Sequence, residues 1–225
     1  MSLAKERKLE RLMSGLPDTI SPSTYNLVIG ACLLYGFWMN ALIVRLFGHL
    51  FYRMDYRVFL VGYFICVFAG VLLSRSQSVI KSFIGYNLIV LPIGALLSRA
   101  LPGYASGLIF QAVILTGMIT LIMMALAVKF PHWFASLGKV LGIALTTLVA
   151  VSLLSLLFGF NLNRDFIAYV SAAIFTLYIG YDWHKAQMYP KTLDNAVDCA
   201  LDLYLDIINL LLDLLRIIAK VKSDD

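Results

Sequence analysis

Six aspartates fall within 32 residues near the end of this 225-residue chain, in a region otherwise rich in leucine and isoleucine. Acidic residues are scarce before them, since only Asp55 and Asp165 occur between residues 19 and 181. A carboxylate can bind a proton or a hard cation such as Ca²⁺. The six residues that offer this chemistry are Asp182, Asp194, Asp198, Asp202, Asp206 and Asp213.

Most of these aspartates recur at helical spacing. A helix turns about 100° per residue, so the carboxylates from residue 198 onward project within about 80° of one another. An amide and a guanidinium share this stripe. We take the whole stripe as candidate residues for lining an ion path or forming a latch: Asp198, Asp202, Asp206, Asn209, Asp213 and Arg216.

Asp206 lies midway along its apolar segment. An ionised carboxylate that faces lipid at this depth costs about 2.5–3.5 kcal/mol or more, so Asp206 must face protein or water. Asp182, at the end of the preceding segment, is its natural partner. The alternative for Asp194, Asp198 and Asp202 is that they lie in the headgroup region and are solvated.

Two carboxylates in close contact cannot both ionise cheaply, and such a pair shares a proton. Deprotonation makes Asp182 and Asp206 repel each other and exposes oxygens suited to Ca²⁺. We therefore predict a pH-sensitive latch with a possible Ca²⁺ site at these two residues. An ideal hairpin would leave them at depths about 10 Å apart. Contact thus requires the last helix to begin well outside the membrane or to tilt.

The remainder of the chain has the composition of an integral membrane protein. Hydrophobic residues make up 61% and charged residues 14% of it, and the mean hydropathy is +0.86. A soluble domain usually carries about a quarter charged residues. Each apolar window is close to the ~20 residues that a spanning helix needs. We predict an all-α bundle of seven helices at about 25–48, 57–74, 79–98, 107–128, 138–159, 163–183 and 194–218.

Three regions follow from this pattern: a polar N-terminal segment (1–24) without a cleavable signal, a seven-helix domain (25–218) and a short charged tail (219–225). A slight excess of Lys and Arg favours a cytoplasmic N-terminus. A re-entrant last segment would instead put both ends on one side. The net charge of +5 fits lipid headgroups. The chain has no basic patch for nucleic acid, and no nucleophile–base pair or phosphate loop of an enzyme.

The C-terminal part of the chain resembles the Bax-inhibitor family, also called transmembrane Bax inhibitor motif proteins. The motif is Leu203-Tyr204-Leu205-Asp206-Ile207-Ile208-Asn209-Leu210 followed by Leu214-Leu215-Arg216. Tyr181-Asp182 resembles the end of the family's sixth helix, and the closing Ser223-Asp224-Asp225 resembles the bacterial members. The specific match covers roughly residues 171–225.

The resemblance implies seven helices, of which the last is central and wrapped by the other six. It also implies a pH-sensitive Ca²⁺ leak in a bacterial plasma membrane, gated by Asp182 and Asp206, with Ca²⁺ as the transported ion and no cofactor required. In some members an arginine near the second helix pairs with the first acid. Arg75 is the nearest candidate here.

Other functions remain open from the sequence. The same acid pair would serve a proton-coupled cation exchanger, and a non-conducting regulator that binds another membrane protein is also compatible, although no feature identifies the partner. An intramembrane aspartyl protease is disfavoured, because bulky Leu205 stands where that class has glycine before its second acid.

We also expect an acid, most simply Asp213, to hold Arg216, because the two are three residues apart on one face.

Overall fold

The computed structural model describes residues 19–74, 76, 78–159 and 162–224. These residues form helices joined by short links and contain no strand. The eight α-helices are α1 (Pro22–Arg53), α2 (Tyr56–Ser74), α3 (Val79–Ala100), α4 (Ser106–Lys129), α5 (Pro131–Ser136), α6 (Gly138–Phe158), α7 (Arg164–Met188) and α8 (Leu193–Asp224), and a 3₁₀ turn, Leu101–Gly103, follows α3.

Each of the seven predicted windows corresponds to one long helix, and only residues 159 and 163 of these windows lie just outside their helices. The eighth helix, the six-residue α5, occupies a predicted link, and its proline stands at the start of the helix, where its missing N–H is not needed. At the other end, residues 219–224 continue α8 instead of forming a separate tail. Of the polar N-terminal segment, residues 1–18 lie outside the described residues and residues 22–24 open α1.

Six helices are long and apolar enough to cross a membrane, namely α1, α2, α3 with its 3₁₀ turn, α4, α6 and α7. The chain is therefore a multi-pass membrane protein. The polar helix α8 is not among these six, because its charged residues are spread along its whole length.

Helix α8 packs closely against α1, α3, α4 and α7. This packing does not confirm that six helices wrap α8, because α2 packs mainly on α3, and α6 packs mainly on α5 and α7. These two outer helices are apolar on nearly every face and expose most of their side chains, as helices that contact lipid do.

Two buried tyrosines fix α8 to α1 and α3. Asn40 of α1 donates to the Tyr204 hydroxyl of α8 at 2.6 Å, and Tyr86 of α3 donates to the backbone oxygen of Cys32 in α1 at 2.6 Å. The Tyr86 and Tyr204 rings lie 5.8 Å apart. Gly36 lies beside both rings, where a larger residue would clash.

Candidate functional site

The register between α7 and α8 brings Asp182 and Asp206 together. In a hairpin centred on the loop between Met188 and Leu193, Asp182 would lie opposite Cys199. It instead lies against Asp206, seven residues further along, a shift of about 10 Å. The first turns of α8 therefore extend beyond the end of α7, which removes the expected depth mismatch.

This extension is held by the starts of α1 and α3. Tyr25 of α1 donates to the Cys199 sulfur at 3.2 Å, and Ser82 of α3 donates to Asp194 Oδ1 at 2.7 Å. Helices α1, α3 and α8 thus begin on one side of the bundle, where α7 ends. We call this the proximal side, and the side where α8 ends the distal side.

Asp182 and Asp206 form the centre of the site. Their carboxyl groups lie within hydrogen-bonding reach of each other, and the residues are only 9% and 6% exposed. Two ionised carboxylates cannot hydrogen-bond, so this contact requires a proton between them. Among the described residues, Asp206 Oδ2 has no hydrogen-bond partner.

Lys185 adds a positive charge that the sequence analysis missed. Its ammonium lies 2.9 Å from Asp202 Oδ2 and 3.5 Å from Asp182 Oδ1. It also lies 5.7 Å from the centre of the Tyr189 ring. Spacing could have revealed it, because Lys185 follows Asp182 by three residues and so shares its face of α7.

On the proximal side of this centre, Asp194 and Asp198 flank a buried serine. The Ser82 hydroxyl that donates to Asp194 also lies within hydrogen-bonding reach of Asp198. Neither aspartate is fully exposed. Each aspartate is partly exposed and also lies beside the Ser82 hydroxyl.

On the distal side, Asp213 lies close to the buried Ser171 hydroxyl of α7, and the Asn209 amide donates to the Leu205 backbone oxygen at 2.8 Å. Arg216 is exposed and interacts with Asp213 only electrostatically. No ion pair joins the two within the described chain. The expected acid-held guanidinium is thus absent from the described chain, and the exposed Arg216 side chain can extend toward the headgroup region.

Together these groups form a polar seam along α8, defined by Asp194, Asp198, Asp202, Asp206, Asn209 and Asp213. From Asp194 to Asp213 the seam spans 19 residues, or about 28 Å. This length is close to the ~30 Å thickness of a bilayer core. Its partners are Ser82 of α3 and Ser171, Asp182 and Lys185 of α7. Arg75, the candidate latch, lies outside the described residues.

The seam is not a preformed Ca²⁺ site. Ca²⁺ takes six to eight oxygen ligands, and no three acidic, histidine or cysteine side chains converge as a ready metal site within the described part of the chain. A cation would have to meet the seam carboxylates together with water, after displacing the groups that now contact them.

A separate cavity of about 830 Å³ lies between α1, α3, α4 and α8. Its α8 lining is Ile207, Ile208 and Leu211, and its polar lining includes Asn40 and Arg45. The three α8 residues project from roughly the opposite face of the helix to Asp202, Asp206 and Asp213. The cavity is therefore not continuous with the seam.

Comparisons with known proteins match most of this chain to one family model and to a bacterial relative. The family model described as inhibitor of apoptosis-promoting Bax1 matches residues 19–223. A Helicobacter pylori protein is 30% identical over 201 residues, which cover 85% of this chain and 86% of the relative.

Two further matches are partial. An uncharacterized membrane protein of Streptococcus pyogenes is 32% identical over 133 residues, 56% of this chain and 58% of the relative. The protein named Bax inhibitor 1 of Saccharomyces cerevisiae is 36% identical over 84 residues, 35% of this chain and 27% of the relative. With a family model that spans nearly all the described residues, this chain belongs to the Bax inhibitor family of membrane proteins.

Proposed function

We propose that the protein is a pH-sensitive Ca²⁺ leak channel in which Asp182 and Asp206 form the gate. The observation that carries this proposal is the contact between two buried carboxyl groups on consecutive helices, at mid-depth in the polar seam. No other pair of acids in the described chain is buried to this degree. In the plasma membrane of a bacterium, such a gate would let Ca²⁺ move down its gradient.

The seam supplies the path that the gate controls. It carries carboxylates from the proximal end of α8 to Asp213, with hydroxyl groups of α3 and α7 beside them. In the proposal, α8 is the seventh spanning helix and lies inside the bundle. Its packing against four helices supports this placement, since a helix with so many aspartates needs shelter from lipid.

The gate responds to pH in a defined direction. With one proton shared, Asp182 and Asp206 attract, and α7 and α8 stay in contact. Without that proton the two charges repel, which separates the helices and frees carboxylate oxygens for cation. The closed packing binds the proton more tightly than separated, hydrated carboxyls would, so low pH favours the closed state and its advantage is lost as pH rises.

The test is Ca²⁺ flux through the purified protein in liposomes over a series from acidic to alkaline pH. We expect flux to rise with pH and to follow the Ca²⁺ gradient. A flux that does not change across the series would refute the gate, and no Ca²⁺ flux at any pH would refute the channel.

A proton-coupled exchanger is the second candidate, because the shared proton could leave the pair in exchange for a cation. The two functions differ in driving force. If an imposed proton gradient drives Ca²⁺ uphill in the same liposomes, the protein is an exchanger. If the proton gradient changes only the rate of downhill flux, it is a leak.

A further inference from the structure

We infer that the Lys185 ammonium is a tethered cation that occupies the cation-binding position of the seam, so that a transported divalent cation must displace it. The inference rests on the proposed cation path for its physiological meaning. It concerns a residue outside the acid pair, and it can be tested by cation binding without any measurement of transport.

The first support is the balance of charge around the ammonium. Lys185 Nζ contacts Asp202 at 2.9 Å and Asp182 at 3.5 Å, one carboxylate from each helix. Asp206 lies against Asp182 and keeps one oxygen without a partner among the described residues. The ammonium therefore contacts two carboxylates directly, and a third lies behind Asp182. An ammonium offers three donors, and it bridges α7 and α8 where a divalent cation would find the densest negative charge.

The second support is the position of Lys185 along the path. It pairs with Asp202, the seam residue one helical turn to the proximal side of Asp206. Along α8, the pair of Asp202 and Lys185 therefore lies on the proximal side of Asp206, where a cation from that side would arrive. Even with one proton shared by Asp182 and Asp206, the three carboxyl groups carry two negative charges against one ammonium, so a cation of higher charge can compete for the same oxygens.

The third support is that the Lys185 ammonium has an alternative contact outside the seam. The Lys185 side chain is 31% exposed, so it is free to move. The Tyr189 ring, 5.7 Å away, is one turn further along α7 and offers a cation–π contact outside the seam. Lys191, in the loop between α7 and α8, does not serve the same purpose. It donates to the backbone oxygens of Ala186 and Gln187 and lies over the Tyr25 ring.

The decisive measurement is Ca²⁺ binding to the purified protein at one fixed alkaline pH, by calorimetry or equilibrium dialysis. Lys185→Met removes the ammonium and keeps an unbranched side chain that is one atom shorter. We expect the dissociation constant for Ca²⁺ to fall by about tenfold or more, the scale of close charge pairs in protein interiors. Lys185→Arg keeps the positive charge and should bind Ca²⁺ within a few-fold of the wild type. Lys185→Gln serves in place of the Met variant if that variant does not fold.

The matched control is Lys81→Met, which removes one exposed lysine near the same proximal end without touching the seam. It should leave Ca²⁺ binding unchanged. A second arm adds ethylammonium, which should weaken Ca²⁺ binding to Lys185→Ala more than to the wild type, because it can refill the vacated position.

The inference is overturned if both neutral variants bind Ca²⁺ with the wild-type dissociation constant. It is also overturned if Lys185→Arg behaves like Lys185→Met, since charge would then not be the cause. Liposome flux separates this failure from that of the proposed channel. Wild-type protein that binds Ca²⁺ but never conducts it would refute the channel and leave the competition between Lys185 and Ca²⁺ intact.

Discussion

A carboxyl group at the centre of a membrane protein must have a partner for its charge or its proton. Asp206 meets this demand through Asp182, whose carboxyl group lies within hydrogen-bonding reach. Loss of the shared proton would disrupt the pair, because the attraction between the two carboxyl groups then becomes repulsion. The groups that surround it are Tyr178 and Lys185 of α7 and Asp202 of α8.

At the residue scale we expect Asp206→Asn to flatten the pH dependence of Ca²⁺ flux in liposomes, because an amide does not titrate. Asp182→Asn should do the same. The double variant should add little to either single change, since the two residues act as one unit. Asp55→Asn is the matched control. It replaces an exposed acid whose side chain accepts from the backbone N–H of Arg57 and Val58, a capping role that Asn also fills.

The outcome that contradicts this prediction is a full wild-type pH profile in each single variant. In that case the acid pair would be a structural contact and the pH sensor would lie elsewhere. If only one variant keeps the wild-type profile, the two residues do not act as a unit.

The sequence predicted the acid pair but not its cation. Asp206 could be identified because a carboxylate at mid-depth in an apolar segment has few explanations. Lys185 was missed because a lysine near a helix end is usually explained by the lipid headgroups. Its partner Asp202 lies on another helix, and only the seven-residue shift in register places the two side by side.

At the element scale, the site depends on α8 starting beyond the end of α7. Hydropathy predicted both helices and their first residues to within one position, but it ended them five and six residues early, because the last turns of both are polar. It could not predict the register, which is set by contacts distant in sequence, such as that between Tyr25 and Cys199. It also missed α5, whose six residues are too few to show a period.

Close approach of α2 to α3 gives a test of packing at this scale. A Cβ on Gly85 would lie 2.7 Å from the backbone oxygen of Gly70 and 2.8 Å from the backbone nitrogen of Ser74. Because backbone cannot move aside, we expect Gly85→Ala to destabilise the protein by about 1–3 kcal/mol. The measurement is the midpoint of thermal unfolding in detergent.

Gly142→Ala is the control for that measurement. A Cβ there meets no atom within 4 Å, so the helix gains roughly 0.5–1 kcal/mol from the loss of a flexible glycine. The two substitutions are chemically identical and should shift the midpoint in opposite directions. Equal shifts would show that α2 and α3 do not approach as closely as the structure indicates.

At the scale of the whole molecule, the arrangement has one polar helix held by four others, with two apolar helices outside. Composition alone predicted a helical membrane protein, since a soluble fold could not bury so much apolar surface. The identity of the outer helices was not predictable in the same way. Every spanning helix is apolar in sequence, and only packing distinguishes α2 and α6, which face lipid, from the helices that contact α8.

The directions of α1 and α8 predict on which side of the membrane each helix end lies. Since α1 and α8 begin on the same side of the bundle and run in the same direction, a spanning α8 ends on the side where α1 ends. Single cysteines at Arg53 and Lys222 should therefore react with a membrane-impermeant thiol reagent from one side of the membrane. Cysteines at His132 and Met188 should react from the other. All four positions are exposed.

The background for this experiment replaces the three native cysteines, Cys32, Cys66 and Cys199, by alanine. Its thermal unfolding midpoint should first be compared with that of the wild type, because Cys199 accepts a hydrogen bond from Tyr25. Labelling of cysteines at Lys222 and His132 distinguishes most clearly between a spanning and a re-entrant α8. If α8 were re-entrant, both ends of it would lie on the proximal side, and a cysteine at Lys222 would react together with the one at His132. That result would remove the path from one side to the other on which the leak depends, whereas labelling from opposite sides leaves the polar seam of α8 crossing the membrane from end to end.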